Sequence, residues 1–349
     1  MDPRLKVVSE TPANAETPLE LQRGVITPNH LFFMRNRFSF PEIDAAGWRL
    51  TLSGLVERPL SVSYDDLLAM PSRSFPVTLE CAGNGRSGMD PTPEGEPWEY
   101  GAVSTAEWTG VPLQLLLETA GLGPGVTEIV AQGHDGGHVS DARGDEPFAR
   151  SLPLEKAFHP DTILAYTMNG EPLPVSHGFP VRLLVPGWYG MASVKWLSSL
   201  RAIGGSFDGF FQVDRYIMRE PGAAAPPRPV TQIGVRSIIT TPRNGATAGV
   251  GTHLVRGYAW SGAAPVTGIE VSTDGGATWE PARWTSGEAR YAWRSWELRW
   301  EAAAAGPVII QSRATDAAGN RQPDAAAWND LGYCNNAIQS IHVDVTATP

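Results

Sequence analysis

The sequence predicts an α+β domain followed by an all-β sandwich of immunoglobulin type. Three observations lead there. The chain has 349 residues, more than one ordinary core accommodates. Its composition shifts near Glu220, where Glu220-Pro-Gly-Ala-Ala-Ala-Pro-Pro-Arg-Pro229 has no periodicity and reads as an extended linker. Beyond it, short alternating runs recur between turn residues, which is the pattern of a β-sandwich. The expected boundaries are 1–222 for the first domain, 223–232 for the linker and 233–349 for the second domain.

In the first domain, strand-like runs cover 48–52, 75–79, 128–131, 163–168 and 181–185. Ser63, followed by Tyr64-Asp65-Asp66 and Leu67-Leu68, reads as a helix N-cap with acids in the first turn. Pro112 opens a short apolar-faced helix over 113–118 that stops before Gly121. Asn169-Gly170 signals a turn after the run at 163–168. In the second domain the runs are 235–240, 253–260, 268–273, 292–300 and 308–315. Asp274-Gly275-Gly276 and Ala317-Ala318-Gly319-Asn320 separate some of them. No cysteine pair is available to cross-link this sandwich. Its tryptophans Trp260, Trp279, Trp284, Trp293, Trp296 and Trp300 either fill a core or anchor an interface.

Composition excludes several function classes. Lys and Arg number 27 against 37 Asp and Glu, a net charge of −10. Nucleic-acid binding rests on phosphate neutralisation and is not expected. An acidic surface suits a cationic protein such as a small electron carrier. No apolar run is long enough to span a bilayer, so no membrane partner is expected. Residues 1–20 are polar, without a secretory profile or an Arg-Arg pair. The sequence as given therefore reads as cytoplasmic; a periplasmic chain whose leader had been removed would read the same. The two cysteines, Cys81 and Cys334, form no disulfide framework, haem-attachment motif or iron–sulfur spacing. Dinucleotide-binding and Walker motifs are absent too. Redox chemistry on this chain requires another cofactor and an external electron partner.

The segment with most chemistry is Thr78-Leu79-Glu80-Cys81-Ala82-Gly83-Asn84-Gly85-Arg86-Ser87. A strand-like run ends at a cysteine, a Gly-rich loop follows, and an arginine closes it. A thiolate suits a soft or high-valent metal. Glycines let backbone N–H groups face an anion. A neighbouring arginine favours the thiolate and can fork onto an oxyanion. A buried, inert cysteine beside a tight turn is the alternative.

With its surroundings this segment resembles the sulfite oxidase family, over about residues 19–345. The matching pieces come in family order: Phe32-Phe33-Met34-Arg35-Asn36, the Cys81 loop, Trp98, and Glu107-Trp108-Thr109-Gly110. Then follow Leu164 through Pro174, His177-Gly178-Phe179-Pro180-Val181-Arg182, Ser193-Val194-Lys195-Trp196-Leu197 and Asp274-Gly275-Gly276-Ala277-Thr278-Trp279. The resemblance implies an α+β molybdenum-cofactor domain of sulfite oxidase fold and an immunoglobulin-like dimerisation domain, hence a homodimer. It implies one molybdenum per chain, held by a pterin dithiolene and by Cys81. Asn36, Asp135, His177, Arg182, Ser193 and Lys195 match cofactor-binding positions. Arg35, Arg86, Trp98 and Tyr216 match the substrate pocket. The implied reaction oxidises a small oxyanion, sulfite, to sulfate. No haem domain is recognised at either end, so the expected acceptor is external, a c-type cytochrome among the candidates.

Departures from the family pattern bear on substrate. The family's third pocket arginine comes from the second domain, and Leu331 stands at its place in Trp328-Asn329-Asp330-Leu331-Gly332-Tyr333-Cys334-Asn335-Asn336. Gly85 replaces a basic residue of vertebrate enzymes, and Arg37 stands where they have histidine. Fewer pocket charges disfavour a dianion. Nitrate reductases share the scaffold and also lack that arginine, so a nitrate reductase-like or sulfane dehydrogenase-like enzyme is an alternative. A non-catalytic β-sandwich binding protein is the reading from another class. Cys334 reads as a free thiol leading into a strand.

Overall fold

The computed structural model describes residues 1–219 and 226–347. Part of the expected linker, 223–225, lies outside these. Its described remainder is pinned: the short strand Arg228–Pro229 pairs antiparallel with Ile217–Met218, and Gln232 bridges to Trp188.

Two five-stranded sheets build the first domain. One runs, edge to edge, Glu171–Pro172, Ile163–Met168, Val103–Pro112 and Arg73–Glu80, with Arg182–Leu184 also paired to Ile163–Met168. The other runs Leu60–Ser63, Arg49–Gly54, Leu197–Ile203, Glu128–Ser140 and Gly144–Pro153. All its pairings are antiparallel except Leu197–Ile203 against Arg49–Gly54. Their shared core includes Leu50, Leu52, Val111, Leu116, Leu164, Val181 and Leu200. The helix Tyr64–Ala69 starts at Ser63, whose hydroxyl accepts from Asp66 N–H while the Asp66 carboxylate accepts from Ser63 N–H. This reciprocal pair satisfies two otherwise orphaned donors. The helix Leu113–Ala120 begins after Pro112 and stops at Gly121, whose φ is +67°.

A four-stranded sheet, Arg236–Thr241, Gly251–Trp260, Arg294–Ala302 and Arg283–Trp284, faces a five-stranded one in the second domain. The latter runs Ala246–Gly249, Gln339–Thr346, Gly306–Asp316, Val266–Ser272 and Glu280–Pro281. Buried and exposed residues alternate strictly along Gln339–Thr346, as a strand with one face on the core requires. The sandwich expectation therefore holds. Trp296 and Trp300 fill its core, with Val255, Ile310 and Val343. Trp260 and Trp293 are buried in a separate cluster that joins the domains, against Ala82, Val103 and Tyr189.

Three features depart from the sequence reading. The run at 128–131 continues to Ser140, because a register shift between Gln132 and Gly136 carries the strand past two glycines. A bulge of this kind re-aims side chains, and Asp135 lies within it. The strands Val103–Pro112, Gly144–Pro153, Leu197–Ile203 and Gln339–Thr346 lay outside the predicted runs. Cys334 sits in a loop with φ +59°, ahead of the strand Gln339–Thr346 rather than leading directly into it.

Candidate active site

Cys81 follows directly on the strand Arg73–Glu80. Its N–H donates to Ala102 O (2.9 Å), and its carbonyl accepts from Asn84 N–H (2.9 Å), so the chain turns sharply. Gly85 has φ +85°, and a Cβ there would lie 2.6 Å from the Arg236 guanidinium. Only glycine meets both demands. The guanidinium beside Gly85, that of Arg236, comes from the second domain.

The second domain clamps this loop at several points. Arg236 donates to Glu80 Oε1 (2.6 Å) and Asn84 O (3.1 Å). Trp260 Nε1 donates to Glu80 Oε2 (2.8 Å), and Asn84 Nδ2 donates to Glu80 Oε1 (2.9 Å). Asn335 Nδ2 donates to Gly85 O (2.7 Å), and Cys334 N–H donates to Ala82 O (2.8 Å). Burial raises the pKa of the Cys81 thiol, against the opposing pull of Arg35, the Gly83 N–H and Arg86.

Cys81 lies where two lobes of one cleft meet. The inner lobe, about 710 Å³, brings together Arg35, Asn36, Cys81, Asp135, His177, Arg182, Ser193, Lys195 and Tyr216 from the predicted set. The outer lobe, about 770 Å³, shares Arg35, Cys81 and Tyr216 and adds Arg86 and Trp98. All eleven predicted residues therefore line these two adjoining cavities, which share Arg35, Arg37, Cys81 and Tyr216 as walls.

The inner lobe is cationic and under-compensated. Arg182 donates to His177 O (3.1 Å) and Ser193 O (2.8 Å), and its Nε finds no partner. Burial lowers its pKa to about 9. Lys195 donates to Arg35 O (3.1 Å), Ser176 O (2.9 Å) and Asn36 Oδ1. Burial, and then the charge of Arg182, pulls its pKa well below the usual lysine range. The lysine is presented by Trp196, whose φ of +50° is costly for a bulky residue. His177 is fully enclosed; burial first, then Lys195 and Arg182, lower its pKa to about 3, so it is neutral. Asp135 is raised to about 6 by burial despite Lys195, and its Oδ1 has no hydrogen-bond partner. The Ser193 hydroxyl accepts from Val185 N–H (3.0 Å). Asn14 orders the approach: its Oδ1 accepts from Asn36 N–H (2.6 Å) and from Arg35 (3.4 Å).

In the outer lobe Tyr216 is buried with φ +54° and stacks on Tyr333 at 5.3 Å. Trp98 is fully buried and its Nε1 is unpartnered. Arg86 spends its donors on main-chain carbonyls: Nε and Nη2 on Leu331 O (3.1 and 3.0 Å), Nη1 on Glu96 O (2.7 Å). Its guanidinium also lies over the Tyr333 ring, at 5.3 Å. Arg35 stays charged: burial opposes it, but Tyr216 and Cys81 beside it raise its pKa.

Arg37 lines both lobes. The sequence reading did not single out Arg215, Glu94, Glu96 or Tyr333, which line the outer lobe, or Phe148 and Met191 in the inner one. Arg215 had one signal, its position next to Tyr216. Tyr333 had none: Asn329 holds both its N–H (2.9 Å) and its carbonyl (2.8 Å), fixing the loop just after Leu331, and that shows only in the fold.

A thiol donor beside buried cations without enough anions, in a cleft between an α+β domain and a sandwich, suits an anionic cofactor that a thiolate could ligate. Residues 37–211 match the oxidoreductase molybdopterin binding domain, and residues 228–346 match the Mo-co oxidoreductase dimerisation domain. The chain is 39% identical to mitochondrial sulfite oxidase of Homo sapiens, over 99% of this chain and 66% of that one. It is 37% identical to sulfite oxidase of Gallus gallus, over 96% and 77%. It is 32% identical to the NADH nitrate reductase of Solanum lycopersicum, over 98% and 41%. The chain thus spans just under two thirds of the human relative's length. Among solved structures, the sulfane dehydrogenase SoxCD from Paracoccus pantotrophus superposes with TM-score 0.85 at 32% identity, over 96% of this chain and 85% of that one. The chain carries a molybdopterin-binding domain of the oxidoreductase class joined to a Mo-co dimerisation domain. It belongs to the sulfite oxidase family. No helix among the described residues is long and apolar enough to cross a membrane.

Proposed function

We propose that this chain oxidises sulfite to sulfate and passes the electrons to an external acceptor, a c-type cytochrome being the class its acidic charge favours. The observation that carries the proposal is the meeting of the two lobes at Cys81. On one side lie buried cations lacking an anion, and on the other an arginine-rich lobe with room for a small oxyanion.

The inner lobe fits a molybdenum cofactor. Arg182 and Lys195 would hold its phosphate; the unpartnered Arg182 Nε and Asp135 Oδ1 are one donor and one acceptor available to it. Asn36 would act by holding Lys195, and neutral His177 would offer a ring nitrogen. Ser193 would fix Arg182 through its carbonyl. Cys81 would bind the metal through its thiolate. When bound, the cofactor supplies the two-electron redox chemistry and the oxygen transfer. The protein's own part is electrostatic and positional. Arg35 holds negative charge next to Cys81. Arg86 keeps the Cys81 loop against the second domain and adds its field. Tyr216, pinned by the ring of Tyr333, donates a hydrogen bond without adding charge. Trp98 walls the lobe and excludes water. The second domain would pair two copies into a symmetric homodimer.

One observation favours the alternative of a sulfane dehydrogenase-like or nitrate reductase-like enzyme. The side chain at the outer lobe's second-domain wall is Leu331, which packs among the aromatic residues around Tyr216.

Metal analysis with sulfite-dependent ferricyanide reduction tests the proposal. We expect about one molybdenum per chain and sulfite turnover, and Cys81→Ser should lower turnover by about a thousandfold or more while the fold persists. Molybdenum without sulfite turnover would reject sulfite and turn attention to nitrate and sulfane sulfur. Full activity in Cys81→Ser would reject the metal assignment.

A further inference from the structure

We infer that Arg37 and Arg215 are specificity-determining residues, supplying from the first domain the anion-binding charge that Leu331 does not bring from the second. The inference rests on the outer lobe being the substrate side.

Four arginines line that lobe: Arg35, Arg37, Arg86 and Arg215. Their donors are not equally available. The Arg86 donors go to the Leu331 and Glu96 carbonyls. Arg35 is tied to Asn14 Oδ1 and Asn36 O. Arg37 and Arg215 make no side-chain hydrogen bond or ion pair with any described residue. Of the two carboxylates lining the lobe, Glu96 accepts from Asn14 Nδ2 (3.4 Å), which draws it toward the Arg35 segment. Glu94 has no such partner, so the lobe holds two uncommitted cations against one uncommitted carboxylate.

Position separates their roles. Arg37 is half-buried and faces both lobes, beside Cys81. It is placed to contact a bound oxyanion directly. Arg215 is exposed, next to Tyr216 in sequence, and sits at the mouth. A cation there draws an anion in, and its effect is screened by salt. Leu331 takes part through its main chain: its carbonyl anchors Arg86 while its side chain packs in the aromatic cluster. The charge that a pocket arginine would bring at 331 is thus relocated across the cleft. The ligand class this selects is a small tetrahedral or pyramidal oxyanion carrying two charges.

The test measures sulfate and nitrate binding to the molybdenum-loaded protein by calorimetry, for wild type, Arg37→Gln, Arg215→Gln and Arg37→Lys. Sulfite KM and kcat follow in parallel. Arg37→Gln should weaken sulfate about tenfold and nitrate about threefold or less, and should raise KM more than it lowers kcat. Arg37→Lys should recover most of that loss. Arg215→Gln should weaken sulfate about threefold and flatten its ionic-strength dependence. Sulfate affinities within about twofold of wild type in both Gln variants, with unchanged salt dependence, would overturn the inference. So would a wild type with no measurable sulfate affinity. Loss of sulfate binding in the variants of an enzyme that never turns over sulfite would reject the proposed reaction and leave this assignment standing.

Discussion

Arg236 and Arg182 are both buried arginines a few residues' reach from the same cleft, and the protein treats them in opposite ways. Arg236 meets the Glu80 carboxylate at 2.6 Å, and Glu80 is further satisfied by Trp260 and Asn84. Each guanidinium keeps one orphaned nitrogen, Arg236 Nη2 and Arg182 Nε, but Arg182 has two carbonyls and no carboxylate, and burial draws its pKa down to about 9. Lys195 is likewise drawn down by burial, although it has three oxygen acceptors and the Asp135 carboxyl nearby. A buried charge with a matched partner is a strut, here joining the second domain to the Cys81 loop. A buried charge without one carries a desolvation cost that an incoming anion can offset where, as at Arg182 and unlike at Arg150, the side chain lines a cavity. A structural cation behind the Cys81 loop is thus told apart from the binding cations that line the cleft.

Breaking the strut should have the largest effect. Glu80→Gln leaves Arg236 buried and uncompensated, which should cost about 3–5 kcal/mol, read from the urea midpoint at fixed slope. A loss below about 1 kcal/mol would mean that Arg236 finds relief elsewhere and that the distinction fails. Lys195→Met should behave differently. Relief from burying an unpaired charge offsets the lost carbonyl contacts, so the stability of the cofactor-free protein should change by no more than about 1 kcal/mol. Its molybdenum content should nevertheless fall sharply. Unchanged molybdenum content would show that Lys195 is not a binding cation.

Much of this contrast was legible in the sequence, for reasons that can be named. Cys81, His177, Arg182 and Lys195 stand in local motifs, so their meeting in one cleft followed from their neighbours along the chain. The sandwich was legible because alternation such as that of 308–315 reports one buried face. Arg236 and Tyr333 were not, because their roles depend on the second domain docking onto the loop at Cys81, a contact with no local signature. Asp135 was found, but its strand was cut short at Ala131, since two glycines disguise a bulged continuation as a turn. Arg86 shows the reverse failing: its place in the outer lobe was legible, whereas its commitment to the Leu331 carbonyl was not.

The smallest effect, and the sharpest probe of the unpaired lobe, is in its protons. His177 titrates near 6.5 when unfolded and at about 3 in the folded protein, because burial disfavours its charge. Between those values the unfolded chain holds the extra proton, so this group's contribution to stability is full above about 6.5 and falls as pH drops toward 3. Asp135 works in the other direction. Burial moves its pKa from 3.8 to about 6, so the folded protein holds the extra proton, and that contribution is lost as pH rises through 6. Across the interval from about 4 to 6 the two slopes oppose each other, each at most about 1.4 kcal/mol per pH unit. Denaturant unfolding of the cofactor-free protein at both ends of that interval should therefore separate them. His177→Gln should tilt the profile toward greater stability at the acidic end, and Asp135→Asn toward greater stability at the upper end. Parallel profiles for both variants and the wild type would mean that water or counter-ions already solvate the lobe, and that its cations are not held in wait for a ligand.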